Sequence, residues 1–444
     1  MKNIIRLNSI HIENIKNVAN ATISFPNYDS NQEIRSNIIG LYGQNGSGKT
    51  ASVNAFRIIQ MLIGGQPIQK YRKYQKIDAL YSLIEVVFNF ITGDENLRVS
   101  YGIKISKLGQ LEETLSYKNL SNNQKSFVTY NEETIKSNKI LTPQQRVHDF
   151  GINKSNQVSY LVAMQKSIET QKSFFFNPEF SQTLVENLKD EYFQRIIKDL
   201  PIYVKEHMFI IENSRLTSAA TNMIFPISLL YNNSQGEEAY FENTFGDGIN
   251  SCNEHQYKAI EQGITSINAV ISTIIPQLSI KLIKKNEIKT EFEKRYTFEL
   301  IAKRDGIEIP YTWESDGIKK LISYVSCLIH MYNHENTLVV ADEFDSGVFE
   351  FLIGEMLQVL KEGALGQLFF TSHNLRPLEV LDPKDIWFAT TNPNNRFIQF
   401  TNIKNNNNLR DLYFRTIQLG GQKEEIYHAT DQYKIRNAFT KVDK

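Results

Sequence analysis

Three short groups of residues in this sequence are of the right types to do chemistry together. The first is Gly43-Gln44-Asn45-Gly46-Ser47-Gly48-Lys49-Thr50, which follows the apolar run Ile38-Ile39-Gly40-Leu41-Tyr42 and opens onto Ala51-Ser52-Val53-Asn54-Ala55-Phe56-Arg57-Ile58-Ile59. Strand, tight loop and helix therefore enclose the pattern G-x-x-x-x-G-K-[ST]. Glycines let the backbone curl so that successive N–H groups point at one anion. The positive end of a helix beginning near Gly48 falls at the same place. Lys49 supplies a mobile charge for β- and γ-phosphates, and the Thr50 hydroxyl is placed to ligate Mg²⁺. The chemistry implied is capture of a nucleoside triphosphate with its metal.

The second group lies at the ends of two apolar strands. Thr337-Leu338-Val339-Val340-Ala341 runs into Asp342-Glu343, and Gln367-Leu368-Phe369-Phe370-Thr371-Ser372 runs into His373. Strands this apolar belong in a parallel sheet covered on both faces, and ligands collect at the carboxyl ends of such strands. Asp342 would share the Mg²⁺ with Thr50, and Glu343 would orient or deprotonate an attacking water. His373 would sense or stabilise the γ-phosphate. Alone, the acidic pair reads equally as a helix cap or turn, and the histidine as structural. Beside a phosphate loop the catalytic reading takes precedence.

The third group, Glu314-Ser315-Asp316-Gly317-Ile318-Lys319-Lys320, opens a helix reaching about His334. Ser315 is either an ordinary N-cap or, with the first N–H groups of the helix, a second anion site. A head that already grips phosphate at Lys49 would use a second such site on the nucleotide of another copy. ATP would then join two copies, and hydrolysis would release them.

Spacing extends the argument: Asp342 lies 293 positions after Lys49. At this point the chain resembles ATP-binding-cassette-type ATPases of the group found in chromosome-maintenance, recombination and overcoming-lysogenization proteins. The resemblance covers roughly 1–105 and 278–400. It implies an α/β fold, an ABC-type P-loop head with a mixed sheet flanked by helices plus a largely helical insertion, with ATP and Mg²⁺ as ligands. Gly43 to Thr50 match the nucleotide loop, Ser315 and Gly317 a reduced signature without the transporters' double glycine. Asp342 and Glu343 match the metal site and catalytic carboxylate, Asp345 the loop at the dimer seam, and His373 the switch histidine. The glutamine that joins sheet to insertion has two candidates, Gln157 and Gln165. Thr371-Ser372-His373-Asn374-Leu375-Arg376-Pro377-Leu378-Glu379 is similar to stand-alone ATPase subunits of bacterial anti-phage systems of the AbiL and PARIS types. That likeness implies a homodimer or higher homo-oligomer, joined through its heads and controlling a separate effector, a nuclease or toxin. With 71 residues after His373 and no carboxylate cluster among them, no nuclease of its own is expected. The alternative is a DNA-repair or chromosome-maintenance ATPase whose heads clamp DNA. A transporter's ATP subunit would want a fuller signature and a shorter insertion.

The remaining sequence must position these groups. Ile5 to Ile12 and Ala19 to Phe25 alternate as two half-buried strands around a turn at 14–17. Strands at 84–90 and 99–105 join through Gly93-Asp94. Helical spacing appears over 182–200 and 256–275, strands return at 278–283 and 296–301, and Asp305-Gly306 marks a turn. The expected division is 1–105 and 278–402 for the two halves of the head, 106–277 for a mostly helical insertion, and 403–444 for a helical extension. The 49 basic residues balance 49 acidic ones among 444, so global charge favours neither nucleic acid nor membrane. The basic, tyrosine-interleaved stretch at 69–76 is read as a solvated loop, with a nucleic-acid contact as its alternative. His330 and His334 share a helical face and read as helix-end residues, with zinc the weaker alternative. No signal peptide or membrane span is expected. Cys252 and Cys327 lie far apart, as in a reduced interior, so the expected compartment is the cytoplasm.

Overall fold

The structure, a computed structural model, describes residues 3–26, 35–68, 73–122 without 108 and 110, 128–131, 158–213 without 159–161, 163–164, 167–168 and 188–189, 225–232, 238–245, 250–289, 294–401 and 408–442. Strands β1 (Asn3–Ile15) and β2 (Val18–Ser24) form a hairpin, and β3 (Asn37–Tyr42) runs into the glycine loop and helix α1 (Lys49–Ile63). Strands β4 (Tyr81–Thr92), β5 (Glu95–Ser106), β6 (Leu111–Asn119) and β7 (Val128–Asn131) follow, then helices α2 (Pro178–Asn187) and α3 (Glu191–Glu206). Next come β8 (Met208–Ile211), the hairpin β9 (Phe225–Asn232) and β10 (Glu238–Phe245), β11 (Asn250–Asn253) and α4 (Glu254–Ile274). Strands β12 (Ser279–Lys289), β13 (Lys294–Arg304) and β14 (Ile307–Pro310) precede α5 (Asp316–Asn333), β15 (Leu338–Ala341), α6 (Glu350–Gly363) and β16 (Gln367–Ser372). The chain continues through α7 (Pro377–Val380), β17 (Ile386–Ala389), β18 (Phe397–Ile398), α8 (Leu409–Leu419) and α9 (Gln432–Val442).

Two large sheets enclose α1. One is antiparallel, in the order β2-β1-β4-β5-β6-β7; the other, β18-β17-β3-β16-β15-β8, is parallel except at β18. Ile10, Ile12 and Phe88 of the first sheet, Phe56 and Ile59 of α1, and Ile39, Val340 and Phe369 of the second belong to one core. Helix α1 is buried nearly all round, polar Ser52, Asn54 and Arg57 included, as a position between two sheets requires. The opposite face of the parallel sheet packs under α5 and α6 through Tyr324, Leu328, Leu357 and Phe370. Strands β11 to β14 form a smaller sheet whose core joins α4 to α5.

Most expected strands are present, and the turn at Asp305-Gly306 has the two positive φ angles, 52° and 84°, of a tight hairpin. The segment 182–200 is two helices: Asp190 accepts from Phe193 N and starts α3 afresh. The segment 106–277, expected to be mostly helical, carries strands as well. Strands β6 and β7 extend the antiparallel sheet, and β8 is an edge of the nucleotide sheet itself. A polar core residue hides β6. Glu113 is buried on its inward face and accepts from Tyr101 Oη, from Ser173 Oγ at 2.6 Å and from Phe174 N at 2.6 Å. Burial pushes its carboxyl up to about 6. Strand β8, Met208-Phe209-Ile210-Ile211, is buried on both faces and so shows no alternation.

Candidate nucleotide site

Strand order builds the site. Strand β3 lies between β17 and β16, and β16 lies next to β15, with Ala341 opposite Phe370 and Ser372 opposite Tyr42. The residues just beyond these strands, Gly43, Asp342 and His373, therefore emerge on one edge, as the sequence predicts.

The glycine loop is shaped by what crowds it. A Cβ on Gly43 would lie 2.6 Å from Ala389 Cβ, and one on Gly48, which has a φ of 97°, would lie 2.6 Å from Val18 Cγ2. Asn17, at the tip of the β1–β2 hairpin, donates to Gly46 O, so the first hairpin buttresses the loop. Ser47 N donates to Gln44 O at 3.2 Å, and Asn45 lies in the same turn. Lys49 is buried and donates from Nζ to Gly43 O at 2.7 Å and Gln44 O at 3.1 Å. Burial pulls its ammonium down to about 8, against the carboxylates of Asp342, Glu343 and Asp345.

Thr50 Oγ1 lies 3.4 Å from Asp342 Oδ1. Burial raises the Asp342 carboxyl, opposed by hydrogen bonds from Thr371 and Thr50. A hydroxyl and a carboxylate converging at one point form an oxygen donor set that suits Mg²⁺.

Three residues outside the motifs hold these groups. Thr371 Oγ1 donates to Asp342 Oδ1 at 2.7 Å and accepts from Glu343 N at 2.8 Å, so one hydroxyl ties the Asp342 carboxylate to the Glu343 backbone. Asn213 Nδ2 donates to Glu343 Oε2 at 2.5 Å. Glu212 accepts from Asn54 of α1 at 3.3 Å and pairs with Arg57 at 3.7 Å, which pins the end of β8. Glu343 itself sits at a φ of 50°, a left-handed conformation that L side chains rarely adopt and that often marks active sites. The available signal for Asn213 was the run Met208 to Ile211 ending in Glu212-Asn213, the same apolar-then-polar pattern as Val340-Ala341-Asp342-Glu343.

Asp345 Oδ2 accepts from His373 N at 3.1 Å and Asn374 N at 2.9 Å, joining the loop after Glu343 to the histidine. Burial first, and Lys49 second, lower the His373 imidazole pKa, which favours its neutral form.

Ser315 and Gly317 are placed differently. Ser315 is exposed and caps α5, accepting from Ile318 N at 3.4 Å. Among the described contacts, Gly317 meets the loop after Glu343 and not the glycine loop: a Cβ there would lie 2.2 Å from Gly347 O. Lys320 Nζ donates to Ser346 Oγ at 3.1 Å in the same contact. Gly317→Ala must displace a backbone carbonyl, and it should lower unfolding free energy by about 1–3 kcal/mol in urea titration. An unchanged midpoint would mean that the two backbones do not touch.

Other expectations resolve locally. The rings of His330 and His334 lie 4.5 Å apart, tilted at 45°, and His330 Nδ1 meets Thr337 Oγ1 at 2.6 Å. Burial lowers the His330 imidazole to about 3, so it stays neutral. No group of three or more metal-ligating side chains occurs among the described residues. Of the basic stretch, 69–72 lies outside the described residues. The Tyr74 ring lies beneath Lys16 at 4.8 Å and Lys73 at 5.0 Å. Gln157 lies outside the described residues, and Gln165 is exposed and donates to Glu169. Among the described residues no helix is long and apolar enough to cross a membrane.

A parallel sheet bearing this loop, an antiparallel sheet across α1, and an acidic pair and histidine on adjoining strand ends define an ABC-type P-loop ATPase head. The chain belongs to the family described as "AAA domain, putative AbiEii toxin, Type IV TA system", which matches residues 38–379. No curated protein matches the sequence. Similar solved structures include the Smc head domain with an extended coiled coil bound to the C-terminal domain of ScpA, from Pyrococcus furiosus, at 11% identity and TM-score 0.44, over 89% of this chain and 96% of that one. The SMC head domain from Thermotoga maritima is similar at 12% identity and TM-score 0.40, over 89% and 99%. The recombination mediator protein RecF is similar at 13% identity and TM-score 0.36, over 83% and 92%.

Proposed function

We propose that the chain is an ATP-driven dimeric switch that controls a separate effector protein in bacterial anti-phage defence. The observation that carries this reading is the convergence of Lys49, Thr50, Asp342, Glu343 and His373 on one sheet edge. The exposed start of α5 is braced against the loop that follows the same two carboxylates. Gly43 to Thr50 and the start of α1 hold the triphosphate through backbone N–H groups, and Lys49 leaves its two carbonyls to neutralise the β- and γ-phosphates. Thr50 and Asp342 hold Mg²⁺, which when bound offsets phosphate charge. Glu343, fixed by Asn213, accepts the proton of a water that attacks the γ-phosphorus as the bond to the β–γ bridging oxygen breaks; ADP and phosphate leave. His373, held by Asp345, donates to a γ-phosphate oxygen.

The second copy supplies Ser315 and the N–H groups around Gly317. The family description, with its wording of a putative AbiEii toxin and a type IV TA system, supports a defence role. Two buried cysteines that form no disulfide suit a reducing cytoplasm.

Mixing tests the shared site. Lys49→Ala and Ser315→Arg chains are each expected to be inactive alone. Mixed equally, they form some dimers with one intact composite site and should recover up to about a quarter of the wild-type turnover, from random pairing of two defects in trans. Recovery of nothing would restrict the chemistry to a single head and overturn the dimer.

A further inference from the structure

The segment leading to α9 is fastened to the nucleotide edge. Glu424 accepts from Asn392 Nδ2 at 3.1 Å and from Asn395 Nδ2 at 3.0 Å, and Thr391 N donates to Glu425 O at 2.7 Å. Ile426 is buried, and His428 N donates to the side-chain oxygen of Gln44, inside the phosphate-binding loop, at 3.3 Å. Asp431 then caps α9, accepting from Tyr433 N and Lys434 N. The helix so anchored carries its large residues outward: Tyr433 is 70% exposed, Ile435 45% and Phe439 77%. Ile435 and Phe439, four residues apart, lie on one face. Its charged residues are Lys434, Arg436 and Lys441, all basic and all exposed.

A surface of opposite character begins directly after the loop bearing Asp345. Phe349 is 70% exposed, and along the outward side of α6 lie Phe351, Glu355, Val359 and Glu362, with Glu350 at its start. The rings of Phe349 and Phe351 are 5.6 Å apart. Arg376 lies over one face of Phe351 and is itself paired with Glu379, while Lys361 is paired with Asp382. The outward charge of α6 is therefore carboxylate.

We propose that α9 of one copy docks across the start of α6 in a second copy, Ile435 and Phe439 against Phe349 and Phe351, with Lys434, Arg436 and Lys441 facing Glu350, Glu355 and Glu362. This rests on the nucleotide-sandwich dimer proposed above. In that arrangement the phosphate loop of one head faces the Ser315 and Asp345 side of the other, and Gln44 anchors α9 at that seam. Apolar residues alone would leave the occupant open; basic against acidic charge on both apolar faces selects a second copy of this chain. The contact makes the tail that touches Gln44 part of the closed state, so a nucleotide that reshapes the phosphate loop also positions α9.

The test uses the full chain carrying Glu343→Gln, with ATP and Mg²⁺. Cys252 and Cys327 are buried, so introduced thiols report cleanly. A chain with Phe439→Cys mixed with one carrying Phe351→Cys should give a disulfide-linked heterodimer that requires ATP. Ile435→Asp with Phe439→Asp, both at exposed positions, should raise the dissociation constant of the ATP-bound dimer about tenfold. An ATP-dependent dimer that neither cross-links nor weakens overturns the docking and leaves the sandwich standing. No dimer at all overturns both. A disulfide that closes only within one doubly substituted chain places α9 on its own α6 and overturns the proposal.

Discussion

Glu343→Gln is expected to bind ATP as tightly as the wild type, hydrolyse it about 10²- to 10⁴-fold more slowly, and accumulate as an ATP-bound dimer. The substitution removes one property and keeps the others. Glutamine has the length of glutamate and tolerates the φ of 50° at 343 equally well, and its side-chain oxygen can still accept from Asn213 Nδ2. The backbone N–H that Thr371 receives is unchanged. What disappears is the capacity to take a proton from water. Asp342 and Thr50, which would carry the metal, are not disturbed, so nucleotide affinity should be retained. Single-turnover hydrolysis separates the two effects, and size-exclusion chromatography with ATP reads the dimer. Turnover within a fewfold of wild type would remove Glu343 from the reaction and leave its strained backbone without this explanation.

That prediction was legible from Asp342-Glu343 following an apolar strand, because a buried parallel strand writes itself as an uninterrupted apolar run. The glycine loop was legible because its backbone takes positive φ angles at Gly46 and Gly48, 76° and 97°, and a local demand of that kind leaves a local pattern. The supports were not legible. Thr371 sits near the end of an apolar strand, between Phe370 and Ser372, and nothing nearby in sequence says that it meets Asp342 across the sheet. Asn213 arrives on a strand of four residues, 130 positions from the glutamate it holds. The burial of Glu113 leaves no mark in the nearby sequence, because its partners, Tyr101 and Ser173, come from a neighbouring strand and a distant loop. Gly317 was read through the anion site it could help build. The structure adds a nearer demand on it, the carbonyl of Gly347, a contact made only once α5 and the loop after Glu343 have packed together.

Lys49→Ala should weaken ATP binding by about thirtyfold to a few thousandfold, the range for truncating one partner of a desolvated charge pair, about 2–5 kcal/mol. Its effect on the chain without nucleotide should be small. There the ammonium is buried against two carbonyls, and that burial opposes its charge strongly enough to pull its pKa down to about 8. Alanine loses two hydrogen bonds but relieves a buried charge, and the two changes act in opposite directions. When phosphate arrives the balance reverses, because the ammonium then meets an anion and its burial strengthens the attraction. Thermal unfolding with and without ATP measures both halves at once. The variant should melt near the wild type alone and lose most of the upward shift that a saturating ligand confers. A variant that melts far below wild type without ATP would instead make Lys49 a strut of the loop, and the phosphates would then be held by the backbone of residues 43–50 and the dipole of α1.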